Sequence, residues 1–368
     1  MILADYIRKS LTYFLFSSAA LLWMCGASIA QQLEAWEVND TNIRWAIENE
    51  MLTDDAVSSH LVDVDVANGI VTLSGSVDNL LAKQRAATIA ESIKGVKSVV
   101  NDIRVKPIER SDAEIEGDIE AALREDPATD SYEVEAEVQG GVVTLTGAVD
   151  SWPERSLSEY VAKNVKGVRE IKNNIRVDQK EVRLDSEVAA EIRRRLEAYV
   201  WVDETSLSVT VHEGEVNLDG TVGSAAEKTQ AKTLCWVAGV NSVGASDVKV
   251  QWWADEPMER DRPAPRSAPL SDSEVKDAIE RAFLYDPRVA EFKIDVSVDD
   301  GIVRLSGTVD NREAKGAAAN DAENTVGVWR VKNHLKVRPT ESVSDPVLSD
   351  RVRQALERNT YTYRPDIT

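Results

Sequence analysis

The sequence predicts an α+β protein of four tandem helix–strand–strand–helix–strand sandwiches, each a three-stranded mixed sheet with two helices on one face. Three observations predict it. A glycine-bracketed strand recurs four times: GIVTLSGSVDN from Gly69, GVVTLTGAVDS from Gly141, GEVNLDGTVGS from Gly214 and GIVRLSGTVDN from Gly301. A further glycine follows each closing glycine at a distance of 19 or 20 residues, at Gly95, Gly167, Gly239 and Gly327. An apolar row of helical period precedes each strand pair.

The opening helices come first. Ile115, Ile119 and Leu123 recur at i, i+4 and i+8 with acidic residues on the other faces, and Ile43, Ile47 and Met51, Val188, Ile192 and Leu196, and Val275, Ile279 and Phe283 repeat the row. Ser111, Ser271 and the aspartates beside them are N-cap residue types. Asp-Pro at Asp126 and Asp286 ends two of these helices, because a helix rarely continues through the residue before proline. Two strands follow. VDVDVANGIVTLSGSV alternates apolar and polar residues on both sides of Asn68-Gly69, a hairpin signal. Gly141, Gly214 and Gly301 close the corresponding turns. The closing glycines Gly75, Gly147, Gly220 and Gly307 mark a bulge or a close backbone approach. The second helix starts after Asn79, Ser151, Ser224 or Asn311. Glu154 and Glu227 stand three residues beyond their serines, as in a capping box. Gly95, Gly167, Gly239 and Gly327 are placed to end that helix with a left-handed residue, and a final strand such as VREIKNNIRV completes the unit.

The units occupy residues 39–107, 111–178, 184–253 and 271–338, with a proline-rich, charged linker over 254–270. Residues 344–368 begin a fifth unit: VSDPVLSDRVRQALERN from Val343 repeats LSDSEVKDAIERAFLYD from Leu270. One helix cannot bury its apolar face alone. The segment is therefore expected to dock on the fourth unit, to fray, or to be the remnant of a truncated chain. At the other end, residues 1–30 read as an export signal, with Arg8 and Lys9 before an apolar run and small residues ending at Ala30. An uncleaved anchor through residues 11–30 and a lipidated Cys25, which Met24 disfavours, are the other readings. All three place the body outside the cytoplasm.

The net charge of −21 disfavours nucleic acid and anionic membrane except through a local patch. Cys235 is the one cysteine in the body, so no intrachain disulfide framework forms, and its apolar surroundings make it a buried thiol. His60, His212 and His334 occupy unrelated positions of three units, without metal-ligand spacing. The repeated Asp78, Asp150 and Asp310 favour a helix dipole rather than acid–base work. No nucleophile elbow, phosphate loop or metalloprotease helix occurs, so neither an enzyme nor a cofactor nor a small-molecule substrate is implied.

The opening helix, the G-[IV]-V-x-L-x-G-x-V strand, the capped second helix and the G-V-x-x-V-x-[ND]-x-[IL]-x-V ending resemble the BON domain, over residues 39–338. The third unit diverges most, with Gly223 in place of the repeated aspartate and ASDVKV in place of NDIRV. The resemblance implies an α/β sandwich, a periplasmic or otherwise exported setting, and a role in binding phospholipid or holding envelope proteins, often under osmotic stress.

Two features are candidate contact surfaces for lipid or a partner. EIRRRLEAYVW sets Arg193, Arg194 and Arg195 beside Tyr199 and Trp201, an arrangement suited to a lipid headgroup region. A solvated arginine face paired with Glu191 and Glu197 is the plainer reading. Trp252-Trp253 places at least one ring outward unless a neighbouring unit covers it. The expected function is an exported, non-enzymatic phospholipid or envelope binder, with a periplasmic chaperone or protein-interaction module as the alternative.

Overall fold

In each of the four hairpins both turn residues lie in the left-handed region, as in Asn68 (φ 55°) and Gly69 (φ 76°). This two-residue turn matches the twist of the strands it joins. The computed structural model describes residues 38–57, 59–129, 132–178, 183–203, 206–251, 270–340 and 343–360. Residues 1–30, expected to be an export signal or anchor, nearly all of the expected linker (254–269) and Trp252-Trp253 lie outside them.

The first unit runs α1 (Asp40–Thr53), β1 (Val62–Ala67), β2 (Ile70–Val77), α2 (Leu80–Ser92), β3 (Ser98–Asn101) and β4 (Arg104–Val105). The second repeats it as α3 (Asp112–Glu125), β5 (Glu133–Gln139), β6 (Val142–Val149), α4 (Trp152–Lys163), β7 (Glu170–Asn173) and β8 (Arg176–Val177). The third is α5 (Asp185–Ala198), β9 (Leu207–His212), β10 (Glu215–Val222), α6 (Ala225–Leu234) and β11 (Ser242–Val250). The fourth is α7 (Asp272–Tyr285), β12 (Ile294–Asp299), β13 (Ile302–Val309), α8 (Arg312–Glu323), β14 (Arg330–Asn333) and β15 (Lys336–Val337), and α9 (Asp345–Arg358) follows.

The glycine-bracketed strand is the centre of every sheet, antiparallel to the strand before it and parallel to the strand after its helix. One sheet face is buried, as Val64, Val66, Val71 and Leu73 meet Ile43, Ile47 and Met51 of α1 and Ala82, Ala86 and Ile89 of α2. The other three units have equivalent cores of their own.

Three details differ from the expectation. The last strand is split in units one, two and four, because Asn101, Asn173 and Asn333 turn away from the ladder. Each donates its amide to a carbonyl of the second helix and accepts the backbone N–H two residues on. Unit three has Ala245 there, and its ladder runs on through a register shift. Next, Gly95 and its equivalents are left-handed (φ 88–95°), but they lie beyond the C-cap residues rather than next to them. A Cβ on Gly95 would stand 2.4 Å from Val38 Cγ1 and 2.9 Å from Ile43 Cδ1, so this turn is packed onto the start of the opening helix. Finally, Glu154 and Glu227 return to the N–H one residue before the N-cap, not to the cap itself. Of the two options for the closing glycines, close approach applies: a Cβ on Gly147 would sit 1.9 Å from the Glu133 carbonyl oxygen.

An unforeseen contact ties the layers together. The first residue of each opening helix is an aspartate whose two carboxylate oxygens accept the N–H groups of the two turn residues. Asp40 does so for Asn68 and Gly69 at 2.8 and 2.9 Å, and Asp112 for Gly140 and Gly141 at the same distances. Asp185 and Asp272 repeat the clamp.

Those two N–H groups hold the Asp112 carboxyl below the usual aspartate range. Its contribution to stability is therefore present above that range and lost as pH falls through the depressed value. Asp112→Ala is expected to lower the melting temperature by a few degrees at neutral pH and to speed exchange of the Gly140 and Gly141 amides. The difference from wild type should close in acid, as read by thermal melts across pH.

Candidate functional site

The first residue of each second helix decides how the units meet. Leu80 packs against the core of unit two, and Ala225 of unit three joins the core of unit one. Trp152 of unit two lies on Trp236 of unit three, ring centroids 4.3 Å apart, and its Nε1 donates to the Val240 carbonyl at 3.0 Å. Units one, two and three are thus joined head to tail in a cycle. The fourth unit has Arg312 at this position, which is exposed.

A second kind of joint brings in unit four. Tyr199, just past α5, pairs with Thr325, just past α8, in an antiparallel bridge. The N–H of Val200 donates to the Asn324 carbonyl at 3.0 Å, and that of Val326 to the Ala198 carbonyl at 2.8 Å. The end of α9 makes the same joint with unit two rather than unit four: Asn359 pairs with Val165, Thr360 N–H donates to Asn164, and Lys166 N–H to Arg358. Arg358 also pairs with Glu125. Proline explains this partner choice. Val200 and Thr360 correspond to Pro127 and Pro287 in units two and four. Those helices have no N–H to give at that point, and their units accept instead.

The two joints enclose a cavity of about 540 Å³ between units two, three and four, in the size range of small-molecule sites. Trp152, Leu157, Leu234, Trp236, Ala278 and Ala282 are part of its apolar wall. Arg194, Arg195 and Arg281 also line it, and among the described residues none of the three has an ion-pair partner. Arg195 is drawn in furthest. Its guanidinium stands 4.7 Å over the Tyr285 ring and donates to the Trp236 carbonyl at 3.2 Å, while burial lowers its pKa. Such stacking is worth about 2 kcal/mol, whereas desolvating an ion costs several. Nearby Glu191 is committed to Arg183 at 2.5 Å. Arg288 is likewise neutralised by Asp286. Asp321, on α8, lines the same space with its Oδ2 buried and, among the described residues, without a hydrogen-bond partner. Burial first, then Asp286, pushes its carboxyl up to about 7 against the pull of Arg288.

The predicted contact residues therefore separate. Arg193 turns to the sheet and donates to the Val209 carbonyl, while Arg194 and Arg195 face the cavity. The cluster does not form one patch, because consecutive helical residues point about 100° apart. Tyr199 belongs to the joint. Trp201 is 68% exposed, with its Nε1 donating to Asn324 of unit four at 3.0 Å. Cys235 is buried, its thiol donating to Ala231 and its pKa pushed up to about 12. Asp321, Arg281 and Trp152 were missed. Only Trp152 left a signal, a large ring at the exposed-side start of an amphipathic helix.

Comparison with known proteins decides the family. The model described as BON domain matches residues 39–107, 111–179, 184–251 and 271–339. The chain belongs to the BON domain family. It is similar to Osmotically-inducible protein Y of Escherichia coli (strain K12), 29% identical over 146 residues that cover 38% of this chain and 73% of that protein. A protein of Anaplasma centrale, in the gshII 5'region, is 29% identical over 152 residues covering 40% and 99%. Among solved structures, the C-terminal domain of CdsD, the structural protein of the Type III secretion system of Chlamydia trachomatis, covers 58% of this chain and 100% of its own at 16% identity. Its TM-score of 0.16 carries no further argument. The BON units here thus supply an α+β scaffold, and their joints supply the site.

Two outcomes follow from these joints. Val200→Pro should remove the bond to Asn324, cost about 1 kcal/mol, and raise exchange at the Val326 amide without altering the cores of units one and two. Asp321 is protonated in the fold at pH values where the unfolded chain is ionised. Its contribution is present in acid and lost as pH rises through about 7. Asp321→Asn should flatten the fall in melting temperature between about pH 4 and 7, the span from the usual aspartate value to the raised one.

Proposed function

We propose that this BON protein is an exported, non-enzymatic binding protein that engages phospholipid at an envelope surface, in a setting of osmotic or envelope stress. The observation that carries the reading is the apolar cavity in which Arg194, Arg195 and Arg281 lack carboxylate partners among the described residues, in a chain of net charge −21. Acidic surface elsewhere repels anionic lipid, so attachment has to be local. Arg194 and Arg281, both exposed, with half-exposed Tyr160 at the same rim, provide a place where phosphate meets guanidinium and a ring meets the interface. Similarity to an osmotically inducible protein supports the stress setting. No helix among the described residues is long and apolar enough to cross a membrane.

One observation favours a second reading, a protein-interaction or chaperone module. On α9, Leu348, Val352 and Leu356 stand in register with the buried Val275, Ile279 and Phe283, yet they are 40–49% exposed. An uncovered apolar helix face is a place for an unfolded client.

Flotation of the protein with anionic and zwitterionic vesicles, at low and high salt, tests the first reading. The expected result is salt-sensitive flotation with anionic vesicles, reduced at least tenfold in an Arg194→Gln/Arg281→Gln variant. Absence of flotation in every condition would reject it. Suppression of client aggregation that is lost in Leu348→Asp/Val352→Asp would then favour the second.

A further inference from the structure

The cavity between units two, three and four has a polarity that a bilayer surface does not require. Part of its wall is made by Trp152, Leu157, Trp236 and the alanines of α7, whose only hydrogen-bonding groups are the two indole N–H donors, that of Trp152 being already given to the Val240 carbonyl. Arg195 is half-buried in the same wall with a ring beneath it and one backbone acceptor, which leaves most of its five donors unused. Arg194 and Arg281 stand at the exposed side. Asp321 lines the same space, and its buried Oδ2 has no hydrogen-bond partner among the described residues. A bound neutral oil would leave the guanidinium and the carboxyl unsatisfied. A small hydrophilic anion would leave the tryptophan wall uncovered.

We propose that this cavity binds a single-chain anionic amphiphile, one acyl chain lying against Trp152, Leu157 and Trp236 and a carboxylate or phosphate head held by Arg195 with Arg194 and Arg281. The proposal deepens the lipid reading above and rests on it for the source of the ligand. Three units contribute to the site. α4 and the turn past α6 bring the two tryptophans, α5 two arginines, α7 the third arginine and Tyr285, and α8 the carboxyl. Binding is therefore a property of the assembled array, and no isolated unit contains the site. An anionic head brought beside Asp321 favours its protonated form, which can donate to the head. The other charged groups facing it, Asp286 and Arg288 past α7, neutralise each other, and Tyr199 of α5 is held neutral by burial and by Asp321 itself. Uptake should thus be tighter on the acid side of neutrality.

The test is titration calorimetry of the full chain with tetradecanoate and with tetradecyl phosphate, both kept below micelle formation, alongside tryptophan fluorescence. Inorganic phosphate and a neutral alkyl maltoside serve as controls. The expected result is one molecule bound per chain, at least tenfold tighter than either control, with a change in tryptophan emission. A preference for one of the two amphiphiles tells a fatty acid from a phosphate-headed lipid. Arg281→Gln, at an exposed position that leaves the fold intact, should weaken binding about tenfold. Ala282→Trp should fill the cavity and abolish binding, whereas Arg193→Gln should change nothing. Absence of binding by either amphiphile, or binding that Ala282→Trp leaves unchanged, would overturn the proposal. Vesicle flotation separates it from the broader reading: flotation without amphiphile uptake rejects the cavity alone. Uptake without flotation rejects membrane attachment alone.

Discussion

A carboxylate at the start of each opening helix grips the two N–H groups of a hairpin turn that lies 28 and 29 residues later. The rest of the unit depends on that grip. It sets the height of the helix above the sheet, so that residues at i, i+4 and i+8 face the buried side of both hairpin strands. It also selects a left-handed two-residue turn, since only then do both N–H groups point the same way. With the hairpin placed, the central strand can accept a parallel neighbour, and the second helix has one face on which to lie. Four sequences that differ at most surface positions keep this contact because it satisfies backbone donors that an exposed turn would otherwise leave to water.

Much of the unit was legible because its determinants are local. Apolar spacing of four, an N-cap residue, a glycine that turns a hairpin and an Asp-Pro stop all act within a few residues of where they are written. The long-range contacts were not legible. The aspartates beside Ser111 and Ser271 read as N-cap candidates, yet the serines are the caps, and nothing nearby tells that the aspartate oxygens reach a turn in the next layer. The same limit hid the joints between units. Leu80, Trp152 and Ala225 occupy one repeat position and each meets a different neighbour, which no single unit reveals. The arginine run of α5 was visible, but its apparent concentration dissolved once helical geometry pointed Arg193 at the sheet and Arg195 at Tyr285.

Charge is distributed in a way that suits a scaffold holding its binding surface between units. Acidic residues dominate the outer helix faces, where water screens them, and carboxylates near the joints are matched by Arg183, Arg288 and Arg358. Among the described residues Arg194, Arg195, Arg281 and the Asp321 Oδ2 have no such match, and all of them line the space between units two, three and four. Units that carry no reactive group of their own thus generate a chemically distinct pocket by the way they lean together. A repeated module acquires individuality through its neighbours.

The prolines past α3 and α7 reach beyond ending two helices. They give the array a parity. Units two and four lack the donor that units three and α9 use, and they are the two that receive it. Duplication or loss of a single unit during the history of such a gene would set two receivers, or two givers, side by side. A change of two units would keep the alternation in phase. The periodicity that matters for assembly is therefore close to 150 residues, twice the period that the eye finds in the sequence (about twice the seventy-odd residues between successive closing glycines).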